Sequence, residues 1–166
     1  MGGNTMNAQI YIANLSKYVS GTIQGGWFDL PVEYSEIVNK LGLNDSEEET
    51  IILDSETPFT VNQYDSLDHL NELYEQYLEL PSDVRDHAKE LIGDLFDSEE
   101  DLLENAGDVT FLSEIDTDEK LGSYWIDEGL ITVPSELVYY IDTEALGRDI
   151  RLNGEILYVS DGCFMK

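Results

Sequence analysis

The chain is short of positive charge, of cysteine and of long apolar runs, and each shortage closes off a set of functions. Eight Lys and Arg stand against 36 Asp and Glu in 166 residues, a formal net charge of −28. So negative a surface repels nucleic acid and acidic membrane leaflets, so cations, metals or strongly basic proteins are the expected partners. The single cysteine, Cys163, excludes an internal disulfide framework and fits a reducing cytosol, so a cytoplasmic location is expected. No apolar run approaches the roughly 18 residues that a membrane-spanning helix needs. The opening MGGNTMNAQ lacks the basic and apolar regions of a signal peptide. Met1–Gly2–Gly3 has the form of a myristoylation start, but no basic residues stand beside it to hold a membrane, and Met6 reads as the natural start.

Chemical signatures are equally scarce. Neither a G-x-x-x-x-G-K-[ST] phosphate loop nor a G-x-S-x-G elbow occurs. The two histidines, His69 and His87, fall on predicted helices, and Cys163 has no histidine near it in sequence. The run from Asp116 to Gly122, DTDEKLG, approaches a calcium loop but fails it. Lys120 sits where an oxygen ligand belongs and Gly122 comes one place late. With 36 acids, a pair of carboxylates at hydrolase spacing arises by chance and carries no information. No catalytic residue, metal or cofactor is therefore assigned, and an enzyme is not expected.

What is present is enough to fold. Hydrophobic residues make up 42% of the chain, with five Phe, ten Tyr and two Trp, which sets it apart from a disordered polyanion. The pattern predicts an α+β chain of three small subdomains. Residues 6–61 read as an antiparallel sheet plus a helix. AQIYIANL reads as a strand by its alternation, GTIQGGWFDL as a second with a bulge or bend at Gly25–Gly26, and TIILD as a third, and a helix opened by Pro31 carries Tyr34, Ile37, Val38 and Leu41 on one face and stops at Gly42. Residues 62–106 read as a helical subdomain. One helix presents Leu67, Leu70, Leu73, Tyr74, Tyr77 and Leu78. A second, capped by Ser82, presents Val84, Ala88, Leu91, Ile92 and Leu95, and a third is capped by Ser98. Residues 107–166 read as a sheet plus helices: a strand in DVTFLSEI, a helix from Thr117 to Gly129, another from Pro134–Ser135 through Leu137 and Tyr140, and a hairpin DIRL-NG-EILYV turning on Asn153–Gly154.

The acids are not spread evenly. DSEEDLLENAGD, residues 97–108, holds six, and no Lys or Arg lies between Lys89 and Lys120. A solvated surface suited to high salt is one reading. A charge lattice shaped for a DNA-binding site is the other, since duplex DNA carries one charge per 1.7 Å and −28 corresponds to roughly 48 Å of it. An acidic chaperone of basic proteins would look similar.

QIYIANLSKY (9–18), GGWFDLP (25–31), LNELYEQYLEL (70–80) and above all YYIDTEALGRDIRLNG (139–154) resemble the ArdA antirestriction proteins of conjugative plasmids and transposons. The resemblance implies an elongated, dimeric mimic of DNA that occupies the basic DNA-binding groove of type I restriction-modification enzymes, blocking restriction and often modification, with no chemical step. It implies the same order of three subdomains. On it, the expected phosphate mimics are Asp97, Glu99, Glu100, Asp101, Glu104, Asp108, Glu114, Asp116, Asp118, Glu119, Asp127 and Glu128. The expected antirestriction motif and homodimer contact is Tyr139, Tyr140, Asp142, Glu144, Ala145, Leu146, Gly147, Arg148 and Asp149. Arg148 and Arg151 are expected either to pair locally with Asp142, Glu144 or Asp149, or to bridge the dimer seam.

Overall fold

The computed structural model describes residues 6–43 and 49–166, so the Met1–Gly2–Gly3 start lies outside the described residues. The fold is α+β, with two small antiparallel sheets among the described residues. The chain divides into two compact units, Met1–Asp86 and His87–Lys166.

The first unit is built on a sheet of order β2-β1-β3, from β1 (Gln9–Asn14), β2 (Gly25–Asp29) and β3 (Thr50–Glu56), all paired antiparallel. Ile10, Ile12, Phe28, Ile51 and Ile52 are buried in it. The short α1 (Leu15–Val19) follows β1, capped by the Asn14 side chain. Helix α2 (Tyr34–Leu41) buries Ile37 and Leu41 and ends on Gly42, whose φ of +69° suits glycine. It begins three residues after Pro31, with Glu33 at its cap, so Pro31 lies ahead of the helix it was expected to open. Helix α3 (Leu67–Leu78) buries Leu70, Leu73, Tyr74 and Tyr77, the expected stripe. Its Asn71 side chain donates to the Val32 carbonyl at 2.8 Å and accepts from the Val32 N–H at 2.9 Å, which ties α3 to the segment before α2.

The expected helix after Pro81 is interrupted. Two short turns, α4 (Ser82–Asp86) and α5 (Ala88–Leu91), are separated at His87, whose φ and ψ of −116° and 19° leave the helix. The cause is tertiary: the His87 ring is buried against two phenylalanines.

In the second unit, α6 (Glu99–Asn105) is capped by Ser98, which accepts from the Asp101 N–H at 3.0 Å. Strands β4 (Thr110–Ser113), β5 (Ile156–Val159) and β6 (Gly162–Met165) form a sheet of order β4-β6-β5. Helices α7 (Asp118–Asp127) and α8 (Thr143–Asn153) complete the unit. Leu112, Leu121 and Cys163 form the buried centre, with Ile115, Tyr124, Trp125, Ile150, Ile156 and Tyr158 packed around it. Burial raises the Cys163 thiol to about 11, which keeps it a protonated, inert core residue.

Two expectations in this unit are corrected. DIRLN is the end of α8 and not a strand, and Gly154 is extended with φ −124°, so Asn153–Gly154 ends a helix where a hairpin was expected. The Asn153 side chain donates to the Asp149 carbonyl at 2.8 Å and satisfies the last turn. The hairpin turns instead on Ser160–Asp161, between Val159 and its partner Gly162. The segment from Pro134 makes only a 3-10 turn at Val138–Tyr140. Leu137, Tyr139 and Tyr140 are exposed, and a short helix without a face to bury is not stable.

The acidic face of the second unit

All twelve expected phosphate mimics lie in the second unit. Asp97, Glu100, Glu104, Asp108, Glu114, Glu119, Asp127 and Glu128 are exposed, and Glu99, Asp101, Asp116 and Asp118 are half-buried. Local chemistry accounts for part of the placement. Glu99, Glu100 and Asp101 form the first turn of α6, and Asp118 and Glu119 that of α7, where the positive end of the helix dipole favours carboxylates. Asp101 also accepts from the Asp97 N–H at 3.0 Å and the Asn105 amide at 2.7 Å. These bonds, the backbone one foremost, hold its carboxyl below the usual range.

Asp116 and Asp118 meet cations inside the unit. Asp116 pairs with Lys120 at 2.8 Å, an exposed bond that lowers its carboxyl. Asp118 is bound more fully. Arg151 reaches it with a fork, Nε to Oδ1 at 2.8 Å and Nη2 to Oδ2 at 3.0 Å, and the Tyr158 hydroxyl donates to Oδ1 at 2.7 Å. The Arg151 bonds first, then Tyr158, hold Asp118 at about 2. Burial first, then the bond to Asp118, raises the Tyr158 hydroxyl. Asp118 thus joins α7, α8 and β5, and its charge is met internally. Arg151 was expected either to pair with Asp142, Glu144 or Asp149 or to bridge the dimer seam, but its partner is Asp118, 33 residues away on α7. Arg148 is exposed, forms no ion pair among the described residues, and acts on Asp118 only through space.

Three of the acids, Glu119, Asp127 and Glu128, line a shallow recess on α7 together with Ile115, Tyr124 and Lys120. Apolar and acidic lining side by side suit the stem and head of a Lys or Arg side chain.

The expected motif begins α8. Asp142 caps it by accepting the Ala145 N–H at 3.0 Å, and Glu144 lies in its first turn. Tyr139 and Tyr140 stand almost free of the unit, 95% and 84% exposed, and Leu130, Ile131 and Leu137 of the same connection are exposed as well. Ala145 and Leu146 are half-buried, and Asp149 is exposed.

Gly147 has a role that charge and spacing did not reveal. A Cβ there would overlap the Asp118 carbonyl and stand 2.6 Å from its carbon, and one on Gly122 would overlap the Thr143 carbonyl. Each glycine lies one turn inside its helix and faces the first residue of the other, so the backbones of α7 and α8 touch there. Gly122 fell inside the predicted helix from Thr117 to Gly129, a place the chain tolerates glycine only for a packing reason, whereas Gly147 fell between predicted elements and carried no such signal.

Compared with known proteins, residues 10–165 match the family model described as antirestriction protein (ArdA). No curated protein matches the chain.

Proposed function

The chain belongs to the ArdA antirestriction protein family, which makes antirestriction its function, and on that premise we propose how it acts: it takes the place of duplex DNA in the basic groove of a type I restriction-modification enzyme. The observation that supports this most is the exposed, base-free run of acids on the second unit. Eight of its expected phosphate mimics face solvent, while Lys120 and Arg151 are engaged with acids of the same chain. A basic groove offers these carboxylates the positive field their own chain withholds, and binding releases the counterions that both surfaces hold. No step in this reading needs a nucleophile, metal or cofactor. Restriction falls because the groove is full, and modification falls with it wherever both activities use one DNA site.

The same reading takes the protein to act as a homodimer. The exposed Leu130, Ile131, Leu137, Tyr139 and Tyr140 would be covered by a second copy, since apolar and aromatic side chains favour the centre of an interface. Arg148, exposed beside this connection, would form its fork onto a carboxylate of that copy.

The test is competition. A purified type I restriction-modification enzyme holds a labelled target duplex and is titrated with the protein at several salt concentrations. Displacement at near-stoichiometric protein, weakening as salt rises, is the expected result. Absence of displacement at low salt by folded protein would refute DNA mimicry of this enzyme class and favour an acidic binder or chaperone of other basic proteins.

A further inference from the structure

Among the described residues, His87 is the one buried side chain able to carry positive charge, 8% exposed. Both ring nitrogens are engaged. Nδ1 lies 2.9 Å from Glu90 Oε1, and Nε2 lies 2.8 Å from Asp161 Oδ1 in the β5–β6 turn. The ring stacks on Phe111 of β4 at 6.3 Å and meets Phe164 of β6 edge-on at 5.8 Å. Ionised carboxylates only accept, and a neutral imidazole donates from one nitrogen alone. A neutral ring would therefore turn a lone pair toward one of the two carboxylates, so the arrangement requires the imidazolium.

We propose that His87 is a proton-operated clasp: charged, it ties α5 to the β5–β6 turn, and on losing its proton it releases one end of that tie. Glu90 from its own segment and Asp161 from the turn are the charged groups that act on the ring, and β4 and β6 present the Phe111 and Phe164 rings to it. Both acids are exposed, at 53% and 66%, so water takes up whichever is released. The Asp161 carbonyl also accepts the Glu114 N–H at 2.8 Å, so the turn that the clasp holds is itself joined to the segment carrying Glu114 and Asp116 of the acidic face. Opening therefore loosens that segment and adds one net negative charge beside it.

The direction in pH follows from the raised pKa. Burial opposes the charge, but the bonds to Glu90 and Asp161 outweigh it, and the ring titrates above its usual 6.5. A raised folded value means that the clasp stabilises fully below the unfolded value and is lost as pH rises through the folded one.

Two measurements on the full chain test this. Long-range proton–nitrogen NMR at pH 6 should find both His87 ring nitrogens protonated, and on raising the pH the Asp161 and Gly162 amides should shift along with the ring. A neutral ring at pH 6, or a ring that titrates while those amides stay still, overturns the proposal. The urea midpoint of the second unit, followed by Trp125 emission in a Trp27→Phe background, should fall from pH 6 to 9. His69→Gln should keep that fall, and His87→Gln should abolish it. A flat profile in the unmutated protein, or a fall that persists in His87→Gln, also overturns it. Should His87→Gln fail to fold, the NMR titration decides alone.

Discussion

Replacing Gly147 with alanine sets two known effects against each other, and the structure decides which prevails. In an ordinary helix the change stabilises by about 0.5–1 kcal/mol, because glycine loses more backbone entropy on folding. Here the new Cβ would stand 2.6 Å from the Asp118 carbonyl carbon and 3.0 Å from its Cα, where ordinary contact begins at 3.4 Å. The obstacle is backbone, which has no rotamer to change, so α7 and α8 must part in a close-packed interior. Overpacking of this kind costs about 1–3 kcal/mol, occasionally more. The strain falls on Asp118, which holds Arg151 and Tyr158, and bonds to charged groups are worth about 1.5–3 kcal/mol each. A net loss of about 2 kcal/mol is expected. For a unit of this size that lowers the thermal midpoint by about 10 °C. Trp125 emission in a Trp27→Phe background reads the loss directly, because Trp125 is on α7. Gly122→Ala should behave alike, since its Cβ would stand 2.8 Å from the Thr143 carbonyl carbon. Gly107→Ala is the control: nothing lies within 4 Å of its Cβ position, so its midpoint should hold or rise. An unchanged or raised midpoint for Gly147→Ala would refute the backbone contact between the helices.

Asp118→Asn should destabilise the second unit by about 2 kcal/mol at neutral pH, read as the urea midpoint, by weakening the Arg151 fork. Because Asp118 is held down to about 2, its contribution is present above the unfolded value of 3.8 and is lost only as pH falls through about 2. An acid-unfolding profile in which the unmutated protein and Asp118→Asn lose stability in parallel through that window would contradict this. Single changes such as Glu100→Gln or Glu104→Gln should alter inhibition of the restriction enzyme by less than about twofold, whereas neutralising six of the exposed acids together should flatten its salt dependence; one abolishing single change in a folded protein would overturn the distributed reading. Tyr139→Asp with Tyr140→Asp, and separately Arg148→Ala, should shift sedimentation from dimer toward monomer, and unchanged sedimentation would reject the proposed seam.

Local rules made much of the fold legible. Alternation located β1, the strands expected in GTIQGGWFDL and TIILD formed as β2 and β3, helical spacing found the buried face of α3, and Ser98 and Thr117 cap the helices they were expected to cap. The misses share a cause, which is that distant groups settled the local choice. Asn153–Gly154 has the composition of a tight turn, yet the α7 contact at Gly147 and the Arg151 fork to Asp118 carry the helix through to Asn153. The turn that forms has Ser160–Asp161 at its centre, with neither an Asn-Gly nor an Asp-Gly pair there, so the short-range signal pointed to Asn153–Gly154 instead. Burial of the His87 ring between Phe111 and Phe164 breaks the helix after Pro81, and no pattern within residues 82–95 contains that information.

The candidate site divides along the same line. Composition told how acidic the chain is, but which acids remain available depends on where the few cations go. In the second unit Arg151 is drawn to Asp118, Lys120 to Asp116, and Lys166 to the Leu95 carbonyl and the Phe96 ring. Arg151, the least exposed of these three, is thus matched to the acid that joins α7, α8 and β5, where charge helps the unit hold together. Glu100 has the positive end of the α6 dipole beside it, while Glu104, Asp127 and Glu128 lie exposed near the C-terminal ends of their helices, where the dipole offers carboxylates nothing. Such an allocation stabilises the unit while leaving its outer charge uncompensated. A protein selected only for solubility has no need to withhold cations from the stretch between Lys89 and Lys120, since scattered lysines keep a surface soluble equally well. A surface that must present repeated negative charge to a basic partner does need it, because each lysine placed there would meet that partner with repulsion.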